Sequence, residues 1–471
     1  MAFLAQFVNQ YDASSRAQFV GQYFNNAVDM VASADNFDSA IGTSSVANET
    51  TATPDVTITP FDSGEVPGWL MAYTRYTGCA GRTPEFTLDF IDYRAGITVP
   101  AVPWGMVWRY VDDSDPGTGR PRDWNTFDNN AGSPVHVFSN NTAFTQDAVE
   151  VAVKPRWRYL DTQHSTAYAA ASVYAHELPS ATAFGGDEHV FNTTTLTSGA
   201  DNSATPTTIN QYGILLDDTA NQPAGGEDKL NIVLFMTQHA SEDQGSYAGW
   251  EMMMLYLDGA GTVADWFRKH CRIYFYDPNP AGRYYGSERW TQEQANDKDP
   301  NRAWGASGSE QVAAVTSAIT VDIDRVDILF DWHGAFSLGR NGRLQDFGVY
   351  DVDGAGADWL SRVRTLLSPL TFAELGSLDP TTAEEYFYTT LSAQLALTVE
   401  FAPSSPNYPG QVSQFGYVVE AYTEALQQMV DNSELTLTAG GTTGDIIQSI
   451  AGYGGIAGPG GIAGRSGGIA G

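Results

Sequence analysis

The apolar pattern of this chain predicts an α/β fold preceded by a mostly β domain. Three observations carry the prediction. Short apolar runs at 230–236, 326–330 and 391–399 have the length and branching of buried strands. Helical patterns fall among them at 310–319 and 357–367, and 418–430 reads as a last amphipathic helix. Upstream, β-like runs are separated by Gly, Pro, Asp and Asn, and Trp69, Trp104, Trp108, Trp124 and Trp157 concentrate there.

Taken in order, residues 1–64 read as a helical arm and a Ser/Thr-rich linker. Ala5-Gln-Phe-Val-Asn-Gln-Tyr11 recurs as Ala17-Gln-Phe-Val-Gly-Gln-Tyr23. Phe7 and Tyr11, like Phe19 and Tyr23, are spaced to share a helical face. Asp12, Ser14 and Ser15 can break and cap between two short helices. Thr- and Ser-rich sequence follows over 43–59. Residues 65–158 form the β-rich domain, with its clearest strands at 86–91 and 148–153. Residues 159–432 form the α/β domain, with further strands expected at 171–174, 189–195, 212–216 and 272–276. Polar loops are expected at 192–208 and 217–227.

Residues 433–471 are a Gly-rich tail that repeats GGIAG at 454–458, 460–464 and 467–471. Such sequence buries no core by itself. Ordering it costs about 1–2 kcal/mol of backbone entropy per residue. An ordered tail therefore implies contacts between chains. Together with the aromatic face of the arm, the tail predicts an oligomer or a larger assembly.

With 471 residues, 42% of them hydrophobic, the chain can bury a large core. Its net charge of -32 argues against a nucleic-acid partner, because phosphate binding needs a basic surface. Asp outnumbers Glu by 37 to 19 and Arg outnumbers Lys by 20 to 4. Scarce Lys with abundant Asp fits a protein kept soluble in brine, where the Debye length falls to about 3 Å at 1 M and self-repulsion is screened. An ordinary acidic secreted protein is the alternative. Cys79 and Cys271 form no disulfide framework, which leaves the redox compartment open. Residues 1–12 lack the basic and apolar regions of a Sec signal. No run of 18 apolar residues occurs, so no membrane insertion is expected. A virion or an extracellular assembly is the expected location, with the cytoplasm as the alternative.

The chemistry gathers where the strands end. His239 and Glu242 follow the 230–236 run, ahead of a helix whose Tyr247, Trp250, Met254 and Leu257 share a face. Sites in α/β proteins lie at such strand ends. An imidazole nitrogen and a carboxylate at that spacing can share one Zn2+. Asp299-Pro-Asn-Arg-Ala-Trp304 comes later in the chain. Asp331-Trp-His333-Gly ends the second run, and Thr398-Val-Glu400-Phe ends the third.

This order of motifs, over roughly 230–431, resembles the funnelin-type zinc carboxypeptidases. The β-rich segment, closed by Lys154-Pro-Arg-Trp-Arg158, is similar to the layout of their cytosolic-type members. The resemblance implies a mixed sheet sandwiched by helices. It implies a zinc-dependent carboxypeptidase acting on peptide or protein C-termini. Zinc would be held by His239, Glu242 and His333, with the fourth position open to water. Asp299 would hold the first imidazole in its tautomer, and Glu400 would be the general base. Arg289 matches the arginine that stabilises the oxyanion, with Arg283 as its competitor. Asn301 and Arg302 would clamp the substrate's terminal carboxylate. Ser241 departs from the pancreatic-type pattern, which has an arginine there, and Pro300 stands where a small residue is usual. Tyr386 and Tyr388 both compete for the role of the tyrosine that covers the substrate. Glu384 and Glu385 lie near the specificity position, where an acidic pocket would favour basic C-terminal residues.

The remaining histidines, His136, His164, His176, His189 and His270, lack metal spacing. His176-Glu177 and Glu188-His189 form the one rival cluster. A second reading is a structural or adhesion subunit of a virus tail or surface layer, because a fold does not fix a function. The Gly-Ile-Ala repeats and the aromatic arm favour assembly, and the ligand set favours chemistry. A virion-borne peptidase satisfies both.

Overall fold

The computed structural model describes residues 31–33 and 43–437, except 60, 63–69, 72, 89–105, 112–123, 132–135, 153–156, 185–188, 196–207, 237, 241, 285–297, 306–307, 335–346, 352–353, 369–371, 377–380 and 402–412. The N-terminal repeat and the GGIAG tail lie outside the described residues.

Among the described residues, the N-terminal part is all β. One five-stranded sheet runs Val31–Ser33, Tyr73–Thr77, Val149–Ala152, Val107–Tyr110 and Asn125–Thr126 in spatial order. The other runs Asn129–Ala131, His136–Ser139, Glu85–Leu88, Asp55–Thr59 and Thr43–Ala47. The stretch 43–59, expected as a linker, therefore carries two strands. Thr43–Ala47 pairs antiparallel with Asp55–Thr59, which lies parallel to Glu85–Leu88. Alternation explains the difference: Val56 and Ile58 are buried while Thr57 between them is half-exposed. Thr is β-branched and suits a pleated, half-buried surface as well as a loop.

The α/β part follows, and its elements are numbered from here. Its strands are β1 (Ala175–His176), β2 (Val190–Thr195), β3 (Thr208–Leu216), β4 (Leu230–Phe235), β5 (Cys271–Tyr276), β6 (Ile328–Gly334), β7 (Phe347–Asp351), β8 (Phe372–Gly376) and β9 (Leu395–Phe401). Its helices are α1 (Tyr159–Ala170), α2 (Pro179–Phe184), α3 (Asp243–Leu257), α4 (Thr262–His270), α5 (Pro280–Tyr284), α6 (Glu310–Asp322), α7 (Gly354–Leu366), α8 (Ala383–Thr389) and α9 (Ser413–Asp431). Two local expectations fail. Residues 171–174 are a turn rather than a strand, because α1 runs through the small helix formers Ala169 and Ala170 and ends only at Ala171. The loop expected from 192 begins as strand, since β2 continues to Thr195 against β3.

The strand order is β1-β3-β5-β4-β6-β9-β7-β8, with β2 also pairing with β3. β5, β4, β6 and β9 are mutually parallel, and β3 and β7 flank them antiparallel. Both faces are covered, which is why the central strands read as continuous apolar runs. Ile232, Leu234, Phe330, Trp332, Leu397 and Val399 join the core that contains Trp250 of α3 and Tyr422 of α9. Their neighbours Val233, Phe235, Leu329 and Ala396 join the opposite core, with Val315 of α6 and Phe387 of α8. The chain is thus a mixed sheet between two helical layers, as expected.

Two glycines let α3 lie directly on β6. A Cβ on Gly245 would stand 2.6 Å from the carbonyl oxygen of Trp332, and one on Gly249 would stand 3.2 Å from the Trp332 ring and 2.9 Å from Met236, which follows β4. This approach brings the first turn of α3 against the end of β6. The chain leaves β4 toward β5 on one side and returns to β6 on the other. The crevice at the carboxyl ends of β4 and β6 is therefore a topological switch point.

Candidate metal centre

Three donors converge in that crevice. His239 lies in the turn after β4, Glu242 is at the N-cap position of α3, and His333 is near the end of β6. One ligand atom from each lies within 4.8 Å of the others. All three side chains are buried. An N-cap position ordinarily holds Ser, Thr, Asp or Asn. Glu242 makes no side-chain cap bond there, and its carboxylate serves the centre instead. Its Oε1 is 2.8 Å from His239 Nδ1, and its Oε2 is 2.6 Å from His333 Nδ1. The Nε2 atoms face other carboxylates: His239 is 2.9 Å from Asp299 Oδ1, and His333 is 3.0 Å from Asp331 Oδ2.

This donor set fits a metal ion. An ionised carboxylate only accepts hydrogen bonds. With each Nε2–H given to Asp299 or Asp331, both neutral imidazoles turn an Nδ1 lone pair toward Glu242. Lone pairs then meet lone pairs, and something positive must sit among them. Two nitrogens and one carboxylate suit Zn2+ with an open fourth position. A carboxylate on the far nitrogen of each imidazole is the usual outer support of such a site. Among the described residues this is the group able to hold a metal. Protons take the same place when no metal is bound. Burial pushes the His333 imidazole down, but Asp331 and Glu242 reverse this and hold it well above the ordinary range. Burial pushes Glu242 up, but the two imidazoles hold its carboxyl well below the carboxylate range.

Strand register adds a second carboxylate. β6 and β9 run parallel, with Asp331 paired to Thr398 and His333 paired to Glu400. Residues two apart on a strand point to one face. Asp331, His333, Thr398 and Glu400 therefore share the face of the crevice. Burial, and next the charge of Glu242, push Glu400 up to about 7. Its Oε2 is buried and has no hydrogen-bond partner among the described residues. Such a group can take up and release a proton near neutral pH.

The Asp299 motif forms a cap. Pro300–Arg302 is one 3-10 turn, and Asp299 Oδ1 accepts the N–H of Asn301 at 2.9 Å while also facing His239. Proline costs nothing at the first position, where an N–H would go unused. Asn301 is buried, and its Oδ1 accepts from Gln238 Nε2 at 3.1 Å and from the backbone N–H of Ala383 at 3.0 Å. Its Nδ2 donates to nothing among the described residues. Arg302 is exposed, and its Nη1 donates to the Asn301 carbonyl at 2.7 Å.

In fold the chain is similar to solved structures of known type. One is a metallo-carboxypeptidase from Burkholderia cenocepacia, with a TM-score of 0.54 and 17% identity, covering 86% of this chain and 100% of that one. Another is a metallo-carboxypeptidase from Pseudomonas aeruginosa in complex with (2-guanidinoethylmercapto)succinic acid, with a TM-score of 0.54 and 15% identity, covering 86% of this chain and 100% of that one. The chain shares the metallo-carboxypeptidase fold. In sequence it matches no known family and no curated protein.

Within this metallo-carboxypeptidase fold, the expected residues divide. His239, Glu242 and His333 come together, with Asp299 on His239 and Glu400 opposite His333. Arg289 lies outside the described residues. Its competitor Arg283 is buried, and its guanidinium donates to Ser246 Oγ at 2.7 Å, Met236 O at 2.5 Å and Asp277 Oδ1 at 3.2 Å. Those donors hold β4 to α3 and α5, a structural task. Tyr386 is half-buried against Trp304, with ring centroids 5.9 Å apart. Glu384 is buried and Glu385 half-buried. The rival His176 is engaged with the Asp217 carbonyl at 3.0 Å.

Two residues at the centre had no role in the sequence reading. Asp331 supports His333, and the alternation of Asp331 and His333 along one strand was the available signal. Gln238 donates from Nε2 to Asp331 Oδ2 at 2.5 Å as well as to Asn301. Nothing local marks it, because its partners come from distant parts of the chain.

Proposed function

We propose that this chain is a zinc-dependent carboxypeptidase that removes C-terminal residues from peptides or proteins. The observation that carries the reading is the convergence of His239, Glu242 and His333, with Glu400 in register beside His333. Zinc at that point would supply Lewis acidity to a water and to the scissile carbonyl. Glu400 takes the proton of the attacking water and passes it to the leaving amine. A value near 7 suits both transfers. Asp299 and Asp331 engage the Nε2–H of both imidazoles and so leave the Nδ1 lone pairs for ligation.

Asn301 and Arg302 receive the terminal carboxylate, and a guanidinium suits that task through paired N–H donors. Arg289 stabilises the oxyanion. The commitment of Arg283 to Met236, Ser246 and Asp277 supports that choice. The decisive experiment compares a peptide with a free C-terminus and its C-terminal amide, in protein loaded with zinc. Rapid release of the last residue from the free form alone is expected. Equal cleavage of both forms, or of neither, defeats the reading.

On sequence grounds alone, we further propose that the aromatic arm and the GGIAG tail join copies of the chain into an oligomer or into a virion or extracellular assembly. Light scattering in high salt, with and without residues 440–471, tests this. An unchanged assembly state leaves a simple enzyme.

A further inference from the structure

We propose that Gln238, oriented by Trp304, decides which end of the Asn301 amide faces the substrate, and thereby sets the preference for a free over an amidated C-terminus. This rests on the carboxypeptidase reading above.

The relay starts at a group with only one option. An indole N–H donates and cannot accept. Trp304 Nε1 lies 2.6 Å from Gln238 Oε1, so the oxygen of that amide must face the indole and its nitrogen must face away. On the far side the Nε2 hydrogens meet two acceptors, Asp331 Oδ2 at 2.5 Å and Asn301 Oδ1 at 3.1 Å. Asp331 Oδ2 is a carboxylate oxygen already engaged by His333, so it confirms the direction independently. Asn301 Oδ1 also receives the Ala383 N–H at 3.0 Å.

Turning the Asn301 amide over would set its NH2 against two donors. Gln238 is 0% and Asn301 3% exposed, so water could not relieve either clash. The NH2 is thus held away from the relay, as a donor. A donor matches a free carboxylate. An amidated terminus keeps one acceptor oxygen but puts an N–H donor in place of the other, so it matches the paired donors of Asn301 and Arg302 only in part. Sites built this way discriminate strongly, because the wrong ligand leaves a buried group unpaired.

The relay is itself well supported. The Gln238 carbonyl accepts from Asn279 Nδ2 at 2.9 Å. The Trp304 ring stacks on Phe235 at 5.2 Å and meets Phe387 edge-on at 5.6 Å. Trp304 closes the Asp-Pro-Asn-Arg-Ala-Trp motif, which otherwise gives it no role. Gln238 stands immediately before His239. Both act through Asn301 rather than on the substrate, so both are positioning residues.

The test uses full-length, zinc-loaded protein carrying Glu400→Gln, so that peptides bind without being cleaved. Calorimetry then compares one peptide in its free and amidated forms. With Gln238 present, the free form binds more tightly. Adding Gln238→Leu weakens the free form by roughly tenfold and leaves the amide unchanged or tighter. Trp304→Phe keeps an aromatic ring on Phe235 but removes the N–H, and shifts the preference the same way by less. It carries the test if Gln238→Leu does not fold. With Glu400 intact, KM for the free peptide rises in Trp304→Phe while kcat holds, because the Gln238 bond to Asp331 remains in place. Equal weakening of both peptides means a merely structural role and overturns the inference. A preference that survives both substitutions overturns it too, while the carboxypeptidase reading stands. No preference in protein that retains Gln238 overturns both.

Discussion

At the seam between the β sandwich and α1, Arg109 and Arg158 face Glu150 and Asp161. At the ends of β4, β6 and β9, Glu242, Asp299, Asp331 and Glu400 face His239 and His333. Both clusters are largely buried, yet they are built on opposite terms. The seam is closed: Arg109 reaches Glu150 at 2.6 Å and Asp161 at 2.9 Å, and Arg158 reaches the same two at 2.5 and 3.3 Å. Two cations cancel two anions. The centre is open: carboxylates outnumber imidazoles, and Glu400 Oε2 and Asp331 Oδ1 are buried with no hydrogen-bond partner among the described residues. A buried cluster that balances itself holds the fold together. One with surplus acceptors is suited to receive something positive, and here the donor set fits a metal ion.

The largest effect expected is at the open cluster. Glu400→Gln removes the proposed base and should lower turnover by roughly 10²- to 10⁴-fold. Metal content, measured on the purified protein, should stay at that of the parent. Loss of metal together with activity would mean that Glu400 holds the ion rather than the proton.

Next comes the closed cluster. Arg109→Met leaves Arg158 as the one cation for Glu150 and Asp161, so that one buried negative charge is uncompensated, and should cost about 3–5 kcal/mol in urea denaturation. Replacing both arginines and both acids with apolar residues of similar volume should cost far less. Zinc stoichiometry should be unaffected in either folded variant. A harmless Arg109→Met would show that the seam is not the balanced unit described.

The clusters should also respond to pH with opposite signs. In metal-free protein, Glu400 is raised from 4.5 to about 7, and His333 is raised well above 6.5. Their stabilising contribution is complete below the unfolded values and is lost as pH rises through the folded ones. Glu150 and Asp161 are lowered below 4.5 and 3.8: burial raises both, and the two arginines reverse it. Their contribution is present above those unfolded values and is lost as pH falls through the folded ones. Metal-free protein should therefore lose stability as pH rises, through Glu400 up to about 7 and through His333 above that, and zinc should abolish that slope. Zinc binding near pH 6.5 should release protons, seen by calorimetry in buffers of different ionisation enthalpy. Zinc uptake without proton release would show that the lone pairs were already free.

The smallest effect concerns the rim. Arg302→Ala should raise KM for free C-termini by roughly tenfold with kcat nearly unchanged. A fall in kcat with KM held would place Arg302 at the reacting bond instead.

Much of the architecture was legible because buried parallel strands write themselves as apolar runs: 230–236 and 272–276 are β4 and β5 almost residue for residue. The Thr-rich stretch at 43–59 misled because threonine serves strand and linker equally well. Glu242 breaks a local rule by occupying an N-cap without capping, and that conflict is itself a mark of function. Arg283 and Arg289 could not be separated by pattern. Only the partners of Arg283 show it committed to the scaffold.

By itself the sequence determined the donors and their order: His239 and Glu242 behind one strand, His333 and Glu400 at the ends of two more, and Asp299 to Arg302 between. Spacing and periodicity are local, so they survive in one dimension. Tertiary structure alone decided that Glu400 lies in register with His333, that both imidazoles turn Nδ1 to Glu242, and that Gln238 reaches Asp331 and Asn301 together. Register follows from which faces are buried, and amide direction follows from which donors surround it. Both are set by contacts between residues far apart in the chain, where no local propensity reaches.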